Sequence, residues 1–353
     1  MRHMREFDYM KLKEQLWDSE ILSYVAQIHE YKGRQELYIR QKPVELERLV
    51  EIAKIQSTES SNKIEGIVTT STRIRQLCED KTAPRNRDER EIMGYRDVLN
   101  TIHESHDYIP IRPSYILQLH RDLLQYAQES FGGQFKNTQN YISETQSDGS
   151  QFVRFTPMPP YETPNAVEAI CESYQKALDM QAVDPLVLIP IFINDFLCIH
   201  PFNDGNGRMS RLLTALLLYR NGYEVGKYIS IESKIEKTKS VYYDVLEQTS
   251  QKWHEAENDP VPFIKYLLGI ILSCYRDFEE RVDIMGKRST AYDIVKKAVG
   301  DTLGKFTKQE ILEHCPSLKS SSVESALKKL REEGFIEKHG SGRSTFYVNS
   351  QYT

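Results

Sequence analysis

Cysteine is sparse and unpatterned in this 353-residue chain. Cys78, Cys171, Cys198, Cys274 and Cys315 are odd in number, scattered, and never at C-x-x-C spacing. That excludes a disulfide-stapled scaffold and a cysteine-based zinc site, and it predicts free thiols in a reducing, cytoplasmic setting. Long apolar runs are lacking too. The most apolar stretch, Leu186 to Phe202, is broken by Asn194 and Asp195. It is too short and too polar to span a bilayer, so it reads as a buried helix and no membrane partner is expected. The first twenty residues are charged and lack the apolar stretch of a secretory signal, so none is expected. An excess of one charge is missing as well. The 46 Lys and Arg stand against 51 Asp and Glu, net −5, which leaves no overall basic footprint for nucleic acid. There is no internal repeat and no low-complexity tract. What is present is ordinary globular composition, 39% hydrophobic and 27% charged, long enough for two or three domains with a sizeable core.

Helical periodicity dominates from residue 10 to about 285. Leu46, Leu49, Val50, Ile52, Ala53 and Ile55 predict a helix over Val44 to Ile64, and Gly66 stands where a helix-ending glycine belongs. Lys81 to Asp88 reads as a loop. Helices are predicted over Arg90–Ile102, Pro113–Tyr126, Val167–Met180, Pro185–Ile199, Gly207–Tyr219, Lys239–Ser250 and Pro262–Arg281. The helical signal lapses between Gly132 and Pro160, where Gln151 to Phe155 is strand-like and Asp148-Gly149 suggests a hairpin turn. An ordinary surface hairpin has the same pattern.

The last 66 residues differ. Residues 288–353 hold 11 basic against 8 acidic residues, net +3, leaving −8 for residues 1–287. Ala291–Val299 reads as one helix. Thr307-Lys308-Gln309-Glu310 and Ser321-Ser322-Val323-Glu324 each read as a capping box opening another, with Gly334 as the last stop. Phe335–Lys338, a Gly340-Ser341-Gly342 turn and Thr345–Val348 form a hairpin pattern. Three helices and a hairpin resemble a winged helix. Lys319, Lys328, Lys329, Arg331, Lys338 and Arg343 could meet phosphates, so DNA is one partner and protein docking the other, since fold alone does not decide.

One segment stands above the rest: His200-Pro201-Phe202-Asn203-Asp204-Gly205-Asn206-Gly207-Arg208-Met209-Ser210-Arg211. Gly205-Asn206-Gly207 lies between an apolar helix and the next one, where glycines allow positive φ and close backbone approach. Exposed amides at a helix N-terminus make an anion site. Arg208 and Arg211 stand i, i+3 on the first turn of that helix. Asp204 offers a hard oxygen ligand suited to Mg²⁺. His200, just before the loop, can take a proton near neutral pH. Together these form a polyphosphate cradle with a metal ligand and a base.

The segment resembles the motif of the Fic family (filamentation induced by cyclic AMP), H-x-F-x-[DE]-G-N-G-R-x-x-R, at all eight specified positions. A chance match at a given start is on the order of one in 10¹⁰. Gly133-Gln134-Phe135-Lys136 and Phe152 to Pro160 are similar to the family's flap region, and Tyr242-Tyr243 to its aromatic pair, so the resemblance covers residues 40 to 285. It implies a mainly α fold: an N-terminal helical region with an inhibitory helix (1–105), a Fic-type helical core with a short β-hairpin flap (106–285) and the winged-helix-like α+β domain (288–353). It implies an enzyme that transfers AMP from ATP to a protein Ser, Thr or Tyr hydroxyl. His200 would be the base and Phe202 the buried anchor of the loop. Asp204 would bind Mg²⁺ between the α- and β-phosphates. Gly205, Asn206 and Gly207 would hold phosphates, with Asn206 at the α-phosphate. Arg208 would contact the β- and γ-phosphates and Arg211 the γ-phosphate. Phe152, Val153, Arg154 and Phe155 would align the target by strand addition, and Tyr242 and Tyr243 would stand beside the adenine or simply pack the core.

Ser61-Asn62-Lys63-Ile64-Glu65-Gly66 fits the family's inhibitory motif [ST]-x-x-x-E-[GN]. The resemblance implies that Glu65 pairs with Arg211 and blocks γ-phosphate placement, and in some members such a glutamate orients a water that removes AMP. Otherwise Glu65 is a solvated acid at the unfavourable end of a helix. Relatives of the same fold transfer UMP or phosphocholine. The Doc branch, which transfers phosphate, lacks the glycine present here as Gly207. A DNA-binding regulator with a nucleotide-sensing core is the non-enzymatic alternative. Fic proteins often form dimers, so a homodimer is a further expectation.

Two decoys complete the reading. His120-Arg121-Asp122 looks like a kinase catalytic loop, but Ala127 stands where that loop needs Asn, so it reads as coincidence with His120 and Leu124 on a core face. Gly340-Ser341-Gly342-Arg343 is no P-loop, and the eight histidines besides His200 show no zinc-binding spacing.

Overall fold

A computed structural model describes residues 5–41, 43–127, 131–145, 151–286, 290–302, 304–316 and 318–349. The protein is mainly helical. In chain order the helices are α1 (Ser19–Gln41), α2 (Pro43–Ile64), α3 (Ser71–Cys78), α4 (Arg87–Ser105), α5 (Pro113–Leu123), α6 (Thr163–Asp179), α7 (Pro185–Ile199) and α8 (Asn206–Arg220). They continue with α9 (Ile231–Lys237), α10 (Lys239–Ser250), α11 (Val261–Gly286), α12 (Ala291–Gly300), α13 (Lys308–His314) and α14 (Ser320–Glu332). Strands β1 (Ile142–Thr145) and β2 (Gln151–Phe155) pair antiparallel; β3 (Lys305–Phe306), β4 (Ile336–His339) and β5 (Phe346–Asn349) form a sheet in the order β3-β5-β4.

The chain folds as two compact units, Met1–Glu30 with Ala53–Cys274 and Tyr31–Ile52 with Tyr275–Thr353. In the first, α7 is the spine. Every residue from Leu186 to Ile199 is buried, which is why its sequence reads as a nearly unbroken apolar run. Asp184 caps its start by accepting from the Leu186 N–H, and Pro185 takes the first helical position, where no N–H partner is needed. Around it pack α6, α8 and α10, and α4 packs on α5 and α8. Register in the β1–β2 pair runs from Thr145↔Gln151 to Ile142↔Phe155 with an irregularity near Ile142. The Asp148-Gly149 turn lies outside the described residues.

In the second unit, Val295, Val299, Phe306, Ile311, Val323, Leu327, Leu330 and Ile336 form one buried cluster. Thr307 and Glu310 make the predicted capping box of α13. The box expected at Ser321–Glu324 is absent: α14 begins at Ser320 with Lys319 as its N-cap and no side-chain cap bond. The serine run offers several starts one residue apart, and sequence cannot choose among them. The predicted end of α5 at Tyr126 is also late by three residues, since the helix closes at Leu123, where the Leu124 N–H turns back to the carbonyls of His120 and Arg121.

Candidate active site

His200 ends α7 in a left-handed conformation (φ 51°), rare for a residue with a Cβ and sustained only where neighbours hold it. Its N–H donates to the Phe196 carbonyl at 2.9 Å, and Asn140 Nδ2 holds its carbonyl at 3.2 Å. Its Nδ1 lies 3.2 Å from the Leu197 carbonyl. A carbonyl only accepts, so this nitrogen carries the proton and Nε2 keeps its lone pair. Burial, aided by the Lys136 ammonium, lowers its pKa to about 4, so the imidazole is neutral at pH 7.

The loop after His200 is braced from inside. Phe202 is fully buried and stacks on His120, ring centroids 3.6 Å apart. His120 Nε2 bonds the Asp204 carbonyl at 3.0 Å, and its Nδ1 accepts from the Gly133 N–H at 3.1 Å. The histidine of the kinase-like decoy is therefore a brace of the cradle. Lys136 Nζ donates to the Ile199 carbonyl and to Asn140 Oδ1, and Asn140 in turn donates to the Phe202 carbonyl. Spacing did not single out Lys136 or Asn140, because the contacts come from a loop some 60 residues away.

Gly205 (φ 82°) opens α8 and turns the chain so that the first amides of the helix face the cavity. The side chain of Asn206, expected at the α-phosphate, is committed elsewhere. It accepts from the Phe202 N–H at 2.9 Å and donates to the Phe202 carbonyl at 2.8 Å. Asp204 is half exposed, with Oδ1 accepting from the Gly205 N–H at 2.6 Å. Arg208 is buried on Glu91 at 2.8 Å, a carboxylate the sequence reading did not single out. Glu91 also meets Arg87 at 2.8 Å, and Arg87 reaches to 3.9 Å from Asp204.

Arg211 is held from the C-terminal end of α2. Its Nε donates to Ser61 Oγ at 2.8 Å, and one terminal nitrogen donates to the Ser61 carbonyl at 2.9 Å and to Glu65 Oε1 at 2.8 Å. Burial pulls the guanidinium pKa down, and Glu65, with Tyr242 and Tyr95, more than offsets it, leaving it raised. A Cβ on residue 207 would overlap the Glu65 carboxylate, so Gly207 makes room for it. Gly66 (φ 81°) ends α2, and Lys239 Nζ holds the Ile64 carbonyl at 2.7 Å.

These groups line a cavity of about 560 Å³ with Glu65, His200, Asp204, Arg211, Tyr242 and Tyr243 in its wall. Of the flap residues, Arg154 and Phe155 face the cavity, and Phe152 and Val153 are exposed. Among the described residues no three His, Cys, Asp or Glu gather around one point. Asp204 offers a hard oxygen of the kind Mg²⁺ takes, an ion commonly held by one or two carboxylates together with substrate phosphates.

The Fic/DOC family profile matches residues 110–218. Curated relatives include a protein adenylyltransferase Fic of Nematostella vectensis, 25% identical over 229 residues, covering 63% of this chain and 48% of the relative. Another, of the same name from Culex quinquefasciatus, is 27% identical over 232 residues and covers 63% and 41%. The chain thus spans less than half the length of these relatives. A solved Fic family protein from Desulfovibrio desulfuricans G20 superposes with TM-score 0.62 at 20% identity, covering 95% of this chain and 97% of that one. A Fic domain-containing signaling protein from Bacteroides thetaiotaomicron gives TM-score 0.60 at 23% identity, covering 75% and 97%. The match over residues 110–218 takes in the whole of the His200–Arg211 cradle.

Proposed function

We propose that this chain is a self-inhibited protein adenylyltransferase that moves AMP from ATP to a Ser, Thr or Tyr hydroxyl of a target protein. The observation that carries the reading is a neutral imidazole, His200, with a free Nε2 at a cavity floored by the α8 N-terminus, while the Glu65 carboxylate occupies part of that floor. The name protein adenylyltransferase borne by the relatives supports ATP as the donor.

In this reading Nε2 of His200 takes the hydroxyl proton as the oxygen attacks the α-phosphorus. The bond from that phosphorus to the bridging oxygen breaks, and pyrophosphate leaves. The α8 amides and Arg211 face the phosphates, Arg211 becoming available once Glu65 withdraws. Asp204 would hold Mg²⁺, which supplies neutralisation of phosphate charge when bound. Tyr242 and Tyr243 would flank the base. Phe152 to Phe155 would pair with the target's main chain, and free thiols at all five cysteines support a reducing, cytoplasmic compartment.

The test is label incorporation from α-labelled ATP, against α-labelled UTP, with Mg²⁺, in wild type, Glu65→Gly and Glu65→Gly/His200→Ala. Label from ATP in Glu65→Gly alone is the expected result. Label from UTP changes the donor and keeps the mechanism. No label from either, with folded protein, overturns the reading.

We read Ala291–Asn349 as a winged-helix domain that docks protein. Lys308, Lys328 and Lys329 each lie within 4.0 Å of a glutamate, which leaves less free charge for phosphates. A gel shift at two salt concentrations tests this, and a salt-sensitive shift restores DNA as the partner.

A further inference from the structure

Residues 5–9 are fastened to the core of the first unit at several points. The Tyr9 N–H donates to Ser173 Oγ on α6 at 2.7 Å, and the Tyr9 hydroxyl donates to Asp195 Oδ2 at 2.8 Å. Arg5 reaches Asp195 Oδ1 at 3.4 Å, Asn258 Oδ1 at 2.9 Å and the Trp253 carbonyl. Asp195 is a buried carboxylate on α7, five residues before His200, and its third donor is the Trp253 indole N–H at 2.7 Å. A charge buried so deeply demands these partners.

Trp253 connects this cluster to the flap. It is fully buried, with the Arg5 guanidinium 4.7 Å from its ring centroid on one side. On another it meets the edge of Phe155, the last residue of β2, at 6.1 Å. The next residue, His254, stacks on Phe155 at 5.4 Å, and its Nε2 donates to the Thr156 carbonyl at 2.8 Å. The turn carrying this pair is strained on both sides: Lys252 (φ 55°) and Ala256 (φ 57°) are left-handed without being glycine. Such backbone persists only where the surroundings over-determine it, and here the surroundings are Asp195, Arg5 and the end of β2.

We propose that Arg5, Tyr9 and Asp195 are positioning residues for the flap, setting through Trp253 and His254 where Phe155 and the Phe152–Phe155 edge stand at the cavity. The proposal rests on reading that edge as the target-docking strand. It predicts that loosening residues 5–9 changes recognition of the acceptor protein and leaves ATP binding alone.

The experiment uses the full chain with Glu65→Gly, and a His200→Ala copy of the same chain as acceptor. Arg5→Met is expected to raise the acceptor KM about 5- to 10-fold, with kcat and the ATP KM within twofold. Amide exchange at 152–156 should speed up while α7 keeps its protection. Arg5→Lys, which retains the cation beside Asp195, should restore most of the effect. His254→Gln, which leaves Asp195 untouched, should speed exchange at 155–156 even where Arg5→Met proves unstable. Parallel shifts in both KM values, or faster exchange in α7 with 152–156 unchanged, overturn the proposal. Exchange needs no turnover, so a chain that transfers no label fails the functional reading and still decides this one.

Discussion

Glu65 and Arg211 meet at 2.8 Å on the floor of the cavity, and the Glu65 carboxylate fills the space that any side chain at position 207 would need. An acid at the C-terminal end of α2 is unfavourable by the helix dipole, but here it lies against the N-terminal end of α8, where negative charge is stabilised. The same carboxylate satisfies Arg211, so a buried cation and a helix N-terminus both face it.

Ser61 shares that grip. Ser61→Ala removes the acceptor of the Arg211 Nε bond and leaves Glu65 in place. Partial release of inhibition is expected, two- to fivefold more label incorporation than wild type and well below Glu65→Gly. Incorporation equal to wild type would mean that Glu65 and the Ser61 carbonyl hold Arg211 unaided.

Acid should destabilise the fold earlier than carboxylate titration alone would. Burial lowers the pKa of His200 and His120 to about 4 and of His103 to about 3. Free histidine titrates near 6.5, so between these values the unfolded chain binds more protons than the folded one. The stability contributed by the neutral rings is complete above about pH 6.5 and is lost as pH falls through 4. Urea unfolding midpoints at steps from pH 7.5 to 4 check this, and a flat profile contradicts it. Transfer activity should lose its base near pH 4 rather than 6.5.

Glu91 neutralises Arg208 where both are buried. Glu91→Ala leaves that guanidinium only the half-exposed Asp204 carboxylate, 3.6 Å away, and is expected to cost about 3 kcal/mol. Glu91→Gln, which keeps a hydrogen-bond acceptor, should cost about 1–3 kcal/mol. Chemical denaturation measures both, and equal losses for the two would mean that shape rather than charge is at stake.

His120 braces the cradle through stacking and two hydrogen bonds. His120→Ala should destabilise by roughly 2–4 kcal/mol and weaken ATP binding at least tenfold in the Glu65→Gly background. His120→Phe keeps a ring against Phe202 and should recover part of the stability, read from the denaturation midpoint, with less recovery of ATP binding by calorimetry.

Local patterning alone announced several of the helices and the residue types of the central motif. Apolar residues at helical spacing announce α2 and α7, proline and aspartate announce the start of α7, and Gly205 and Gly207 announce a tight turn into a helix N-terminus. Such signals are contained within a few residues, so one chain suffices to read them. The i, i+4 relation of Ser61 and Glu65 is legible in the same way. Their meeting with Arg211 is not, because 146 residues separate Glu65 from it and only the packing of α2 on α8 closes that gap. Tertiary structure likewise decided that His120 is a brace, that the Asn206 side chain serves the loop backbone, that Glu91 neutralises Arg208, and that Trp253 bridges Asp195 to the flap. Buried polar groups must find partners, and which partners are within reach is settled by how helices pack.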